Sequence, residues 1–127
     1  MKRLARHFTR ARRDRGSSAL EYLGFLPLLL IVGLAAIQLG IAVYVAQQAG
    51  TGTRAAARVV SQNPSASANQ VGRAAMTGWT ADKADFGPPV WGDGTVTVTG
   101  EVEIPTILPG LSLGKVHKKA TMPVDRP

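Results

Sequence analysis

Apolar and polar positions follow different periods in different parts of this chain, and each period predicts a different element. From Tyr22 to Ala46 the only ionisable side chains are Tyr22 and Tyr44, near the two ends of an otherwise apolar run. A helix needs about 20 apolar residues to cross a bilayer core of about 30 Å, so the run predicts one transmembrane helix. The tyrosines sit where amphipathic rings favour the headgroup level. Pro27 lacks an N–H and would kink the helix, which membrane helices tolerate when neighbours satisfy the freed carbonyl. Gln38, a polar side chain within the run, is a candidate helix–helix hydrogen-bonding point, and Ala36, Gly40, Ala42, Ala46 and Gly50 supply small residues of the kind that let helices pack closely.

Helical character continues from Gln47 to Ser61, with Arg54 and Arg58 on one face. Asn63-Pro64 predicts a stop and a restart, Asn63 as N-cap and Pro64 at the first helical position, opening a short helix that runs to about Gly78. Ala66, Val71, Ala74 and Ala75 are its candidates for packing. Thr80 to Gly94 reads as a loop punctuated by Gly87-Pro88-Pro89 and Gly92-Asp93-Gly94. From Thr95 to Ile104, Val96, Val98, Val102 and Ile104 alternate with Thr and Glu, the period-two signature of a half-buried strand. Val116 to Val124 predicts a second strand whose apolar parity only Lys118 breaks. Between them Pro105 to Lys115 holds Ile107, Leu108, Leu111 and Leu113, which either cover a small core or contact a partner or the membrane surface.

The resulting fold class is α+β: a long N-terminal transmembrane helix continuing outside the membrane, a short second helix and a small C-terminal antiparallel hairpin. The segments are a basic leader (1–16), the helix and its extension (17–61) and a small extracytoplasmic domain (62–127). Two strands alone are marginal in water, so the sheet must rest on the helix or on other subunits.

Charge changes this picture mainly at the N-terminus. The 127 residues carry a net +7, yet seven of the 15 Lys and Arg lie in residues 1–16 against Asp14 alone. The high isoelectric point therefore belongs to a short leader, and positive charge on that flank keeps the N-terminus cytoplasmic. Nucleic-acid binders usually carry such charge on a folded face with aromatics for stacking, and here the charge directly precedes an apolar run, so no nucleic-acid partner is expected. Anionic lipid is a natural partner for clustered Lys and Arg beside a bilayer. Cysteine is absent, so neither a disulfide nor a thiolate metal site is expected. A cleaved secretory signal fits poorly, because the apolar run is long and Tyr44 to Ala49 offers no small-x-small site. The pair Arg12-Arg13 is a weak match to a twin-arginine signal.

No catalytic or metal-binding constellation emerges. His7 and His117 fall on opposite sides of the membrane in this topology, Asp82 and Asp85 read as solvated loop residues, and Ser17 and Ser18 lack a base. The glycine clusters lack the Lys and Ser/Thr of a phosphate-binding loop. No enzyme activity, cofactor or metal is expected.

The most specific local pattern is Arg15-Gly16-Ser17-Ser18-Ala19-Leu20-Glu21-Tyr22. A carboxylate at the edge of a membrane helix is costly to bury and marks a functional position, although Glu21 could also simply favour the positive end of the helix dipole. A basic leader, a glycine, four small or apolar residues, then Glu-Tyr and a long apolar helix resembles the prepilin-peptidase site of the Flp or tight-adherence (Tad) branch of type IV pili. The segment Leu20 to Leu30 is similar to the start of TadE-like pseudopilins, as is the Arg- and Ala-rich end at Thr53 to Arg58.

That resemblance implies cleavage between Gly16 and Ser17, with Gly16, Ser17, Glu21 and Tyr22 as the processing residues. It also implies that Glu21 pairs with the new amino terminus of a neighbouring subunit. The implied function is a non-enzymatic pseudopilin-like role in assembling a Tad/Flp-type pilus or related secretion machine. The implied partners are membrane lipid, the prepilin peptidase, other pilin-like subunits and platform proteins, in the bacterial cytoplasmic membrane. The alternatives are a bitopic anchor presenting a small extracytoplasmic binding module and an accessory subunit holding an enzyme at the membrane.

Overall fold

A computed structural model describes the backbone of residues 5–124 and side chains from Gly16 onward; the leader side chains, among them His7 and Arg12-Arg13, and residues 125–127 lie outside the described residues. Seven elements follow in order: α1 (Ala5–Gln62), α2 (Ala68–Ala74), α3 (Gly78–Ala81), β1 (Ala84–Phe86), β2 (Val90–Gly92), β3 (Thr95–Glu103) and β4 (Lys115–Pro123). The architecture is α+β, as expected. It divides into two compact units, one up to Ile37 and one from Gln38 on.

Among the described residues the first unit is helix alone. Leu23, Phe25, Leu26, Leu28, Leu29, Leu30, Ile31 and Val32 are all more than half exposed, so apolar side chains point outward in every direction. A helix apolar all round needs a surrounding apolar medium, and this one is long and apolar enough to cross a membrane. It continues through Pro27 without interruption.

The second unit is a small sheet packed on the distal half of α1. Val45, Ala49, Ala56, Ala57 and Val60 of the helix are buried with Val96, Val98, Val102 and Ile104 of the β3 region. The alternation expected of β3 is observed: Val96, Val98, Gly100 and Val102 point inward and the intervening residues do not. Burying aliphatic side chains of this size contributes about 1.5–3 kcal/mol each. β4 pairs antiparallel along the whole of β3, from Thr95↔Pro123 to Glu103↔Lys115. Lys118, the residue that breaks the parity of β4, lies opposite Gly100 and is exposed.

Four expectations are corrected. Thr80–Gly94 is not a loop, because α3, β1 and β2 occupy much of it. β1 pairs with the Gly100–Val102 end of β3 and β2 with the Thr95–Thr97 end. The sheet therefore has four strands, with β1 and β2 sharing one edge of β3 and β4 taking the other. Gly87-Pro88-Pro89 separates β1 from β2, as expected of prolines that cannot donate to a ladder. Second, α2 is capped by Ser67, whose Oγ accepts from Gln70 N, and not by Asn63. Asn63 is occupied otherwise: its N–H still completes α1 by donating to Val59 O, and its side chain accepts from Ser65. Third, α2 ends at Ala74 rather than near Gly78. Fourth, Ala74 and Ala75 are exposed, and the buried face of this segment is Ala68, Gly72 and Met76.

Phe86 holds the layers together. A Cβ added at Gly72 would lie 2.6 Å from its ring, one at Gly52 2.7 Å and one at Gly100 2.7 Å. Glycines of α1, α2 and β3 thus surround one aromatic ring that is 4% exposed. Its backbone N–H donates to Asn69 Oδ1 (3.2 Å), fixing α2 to β1. The sheet rests on the helix through this contact, as the marginal stability of so few strands requires.

Candidate functional site: the processing junction and the distal end of the stem

Gly16, Ser17, Glu21 and Tyr22 all lie on the continuous helix α1 and all are exposed. Glu21 lies four positions after Ser17, which places them one turn apart on the same face. Ser18, Glu21, Tyr22, Phe25, Leu26 and Leu29 line one shallow groove on the helix surface. Gly16 has open space where a Cβ would stand, and its backbone is helical. Glycine there costs about 1 kcal/mol of helix propensity relative to alanine. The fold gives no steric reason for it, in contrast to Gly52, Gly72 and Gly100 around Phe86.

At the other end of the apolar run the geometry differs from expectation. Gln38 is 1% exposed, and its partner is not another helix. Its Nε2 donates to Pro105 O (2.9 Å) and its Oε1 accepts from Ile107 N (2.8 Å). One side-chain amide thus takes both a carbonyl and an N–H of the β3–β4 connection, as a neighbouring strand would. Of the small residues named above, Ala36 and Gly40 are exposed, while Ala42 packs partly against the core.

Tyr44 is likewise committed within the folded unit. Its ring stacks on Trp79 with centroids 5.7 Å apart, and its hydroxyl lies 2.9 Å from Thr77 Oγ1. Thr77 N donates to Gln48 Oε1 (2.9 Å), so the start of α3 is held by two residues of α1. Both rings remain over a third exposed.

The other charged candidates behave as surface groups. Arg54 and Arg58 are exposed on α1, and Asp85 is exposed on β1. Arg73 and Asp82 approach to 3.9 Å in solvent, which stabilises little. His117 Nδ1 lies 3.2 Å from Glu101 Oε1, a contact made by the cross-strand register. Among the described residues no group of three or more His, Asp or Glu is placed to hold a metal ion.

The string from Gly16 to Tyr22 is displayed by the sequence itself. The β3–β4 clasp is not, because Gln38 recognises backbone and no side-chain motif at residues 105–107 announces it. Residues 16–58 match the family model described as TadE-like protein, beginning at the glycine of the junction and ending at Arg58. No curated protein and no solved structure matches the chain.

Proposed function

We propose that this chain, TadE-like over residues 16–58, is a non-enzymatic pseudopilin-like subunit that acts in assembly of a Tad/Flp-type pilus or related secretion machine. The family match and the membrane-length helix fit a Tad pilus-associated membrane protein. The finer assignment gives each segment a task. Residues 1–16 are a basic cytoplasmic leader, 17–61 a stem that crosses the bacterial cytoplasmic membrane, and 62–127 an extracytoplasmic domain. The prepilin peptidase removes the leader after Gly16, and the stem then meets pilin-like subunits and platform proteins through its N-terminal turns.

The observation that carries this reading is that the match starts at an exposed glycine for which the fold itself has no use. Glu21 supports it: the carboxylate stands one turn from the amino group that cleavage would create. Pairing with a neighbour's amino terminus would offset two charges that are costly to hold singly in a low-dielectric setting.

Intact mass and N-terminal sequencing of the chain purified from native membranes are expected to give Ser17 as the first residue. Detergent co-purification is expected to recover platform and pilin-like proteins. A chain starting at Met1, with one stoichiometric partner unrelated to pili, would instead identify an anchor for a binding module or an enzyme.

A further inference from the structure

We propose that the β3–β4 connection, residues 105–114, lies at the headgroup level of the membrane half distal to the leader, its apolar side chains turned into lipid, with Gln38 satisfying backbone groups that would otherwise be left unpaired there. The inference rests on the reading of α1 as a membrane helix and adds a second membrane-contacting element.

The length of the helix gives the first argument. From Tyr22 to Ile37 there are about 24 Å of helix at about 1.5 Å per residue. A bilayer core of about 30 Å therefore needs the turn that follows, and about 20 residues counted from Tyr22 end at Ile41. Gln38 lies inside that last stretch. The two residues Leu39 and Val43 beyond it are still more than half exposed, as lipid-facing residues would be. Gln38 itself is covered, and what covers it is the connection it binds. The connection must then share the depth of Gln38.

The composition and bonding of the connection suit that depth. From Ile104 to Gly114 there is no charged residue. Ile107, Leu111 and Leu113 are exposed at 44%, 44% and 37%. Non-helical backbone tolerates a membrane only where its polar groups find partners. Pro105 and Pro109 bring no N–H. Ile107 N and Pro105 O are taken by Gln38, Ile104 N by Gly114 O, and Leu111 N by Leu108 O. Thr106, Leu108, Gly110, Ser112 and Leu113 leave their N–H groups to water and lipid headgroups, which holds the connection at headgroup level and not among the acyl chains.

Two independent markers set the water boundary above it. Glu103 and Lys115, the last ladder pair before the connection, are both exposed, so charge begins where the apolar segment stops. The half-exposed Tyr44–Trp79 stack lies about 9 Å farther along α1 from Gln38 by helical rise, at the level where aromatic rings favour headgroups.

Because the chain has no cysteine, single-cysteine variants of the full chain can be labelled without background. The test uses Leu111→Cys, Leu30→Cys and Asp93→Cys, each carrying an environment-sensitive NBD dye. Each is reconstituted in phosphatidylcholine–phosphatidylglycerol vesicles containing nitroxide lipids. Leu30 reports the crossing helix, and Asp93, in the β2–β3 turn at the far end of β3, reports water.

The label at 111 is expected to emit to the blue of that at 93 and to lose intensity most with nitroxides near the headgroup. The label at 30 should be quenched most by nitroxides deep in the acyl chains. Adding Gln38→Ala should move the label at 111 towards the behaviour of that at 93. If 30 is quenched while 111 matches 93, the connection at headgroup level is wrong and the membrane helix stands. If 111 is blue-shifted but untouched by nitroxide lipid, a second copy or another protein covers it, which also overturns the proposal. If Gln38→Ala leaves quenching at 111 unchanged, the clasp is not what holds the connection in place. Failure of quenching at 30 would instead remove the membrane reading itself.

Discussion

Gly16→Ala is expected to leave the chain at its full length in cells that hold the prepilin peptidase, with the leader still attached. The substitution is clean in structural terms. A Cβ at this position meets nothing within 4 Å, and helical backbone accepts alanine better than glycine. Loss of cleavage could therefore not be assigned to loss of fold. If the proposed cleavage requires glycine beside the scissile bond, the effect should be close to all-or-none. Glu21→Ala should separate two roles: the leader is removed normally, but the matured chain no longer co-purifies with pilin-like subunits. The measurement is intact mass and co-purification on the same membranes, with far-ultraviolet circular dichroism of both variants as the control for folding. Cleavage of the Gly16→Ala chain at the native position would refute the assignment of residue 16.

Phe86→Ala is expected to unfold the unit beyond Gln38 while leaving the membrane helix inserted. The ring fills the space left by Gly52, Gly72 and Gly100, three glycines from three elements, and its removal leaves a cavity that rigid backbone on several sides cannot close. Truncating a buried phenylalanine costs about 3–5 kcal/mol. That reaches the lower end of the stability of native domains, about 5–15 kcal/mol, where a unit with so small a core belongs. Limited proteolysis of the reconstituted chain should degrade the sheet and spare a fragment containing the apolar run, whereas the wild type resists under the same conditions. Gly72→Ala attacks the same contact from the other side, with a Cβ 2.6 Å from the ring, and should weaken the unit less, by about 1–3 kcal/mol. Resistance of Phe86→Ala equal to that of the wild type would show that the ring is not the anchor.

Much of this architecture is local and was therefore legible. The apolar run needs no partner to be recognised, and Thr95–Ile104 and Val116–Val124 alternate long enough for a period of two to stand out. β1 and β2 escaped because three residues hold too little of any period. Ala84 and Phe86 are the only inward positions of β1, and β2 is exposed throughout. A signal was nevertheless present in Asp93-Gly94, a favoured hairpin dipeptide, which joins β2 to β3 here with Gly94 at φ +69°. The cap at Ser67 is hidden because Asn63-Pro64 presents the stronger local motif, while Asn63 completes α1 and turns its side chain to Ser65, so the helix starts four residues later. Gln38 was singled out correctly as an anomaly and given the wrong partner. Its acceptor and donor lie 67 and 69 residues away on main-chain atoms, and a side-chain pattern carries no record of those. The candidate junction from Gly16 to Tyr22 is short, local and exposed, so sequence alone could display it.

The placement of β4 has a bearing on how copies of this chain can associate. Among the described residues it pairs only with β3, so its other side is a row of main-chain groups open to strand addition. Lys115, Lys118 and Lys119 are exposed along it, and Pro123 closes its end. Lysines and proline at such a border oppose sheet-to-sheet polymerisation by repulsion and by a missing donor. The sheet is thereby protected against growing into a continuous ribbon of copies.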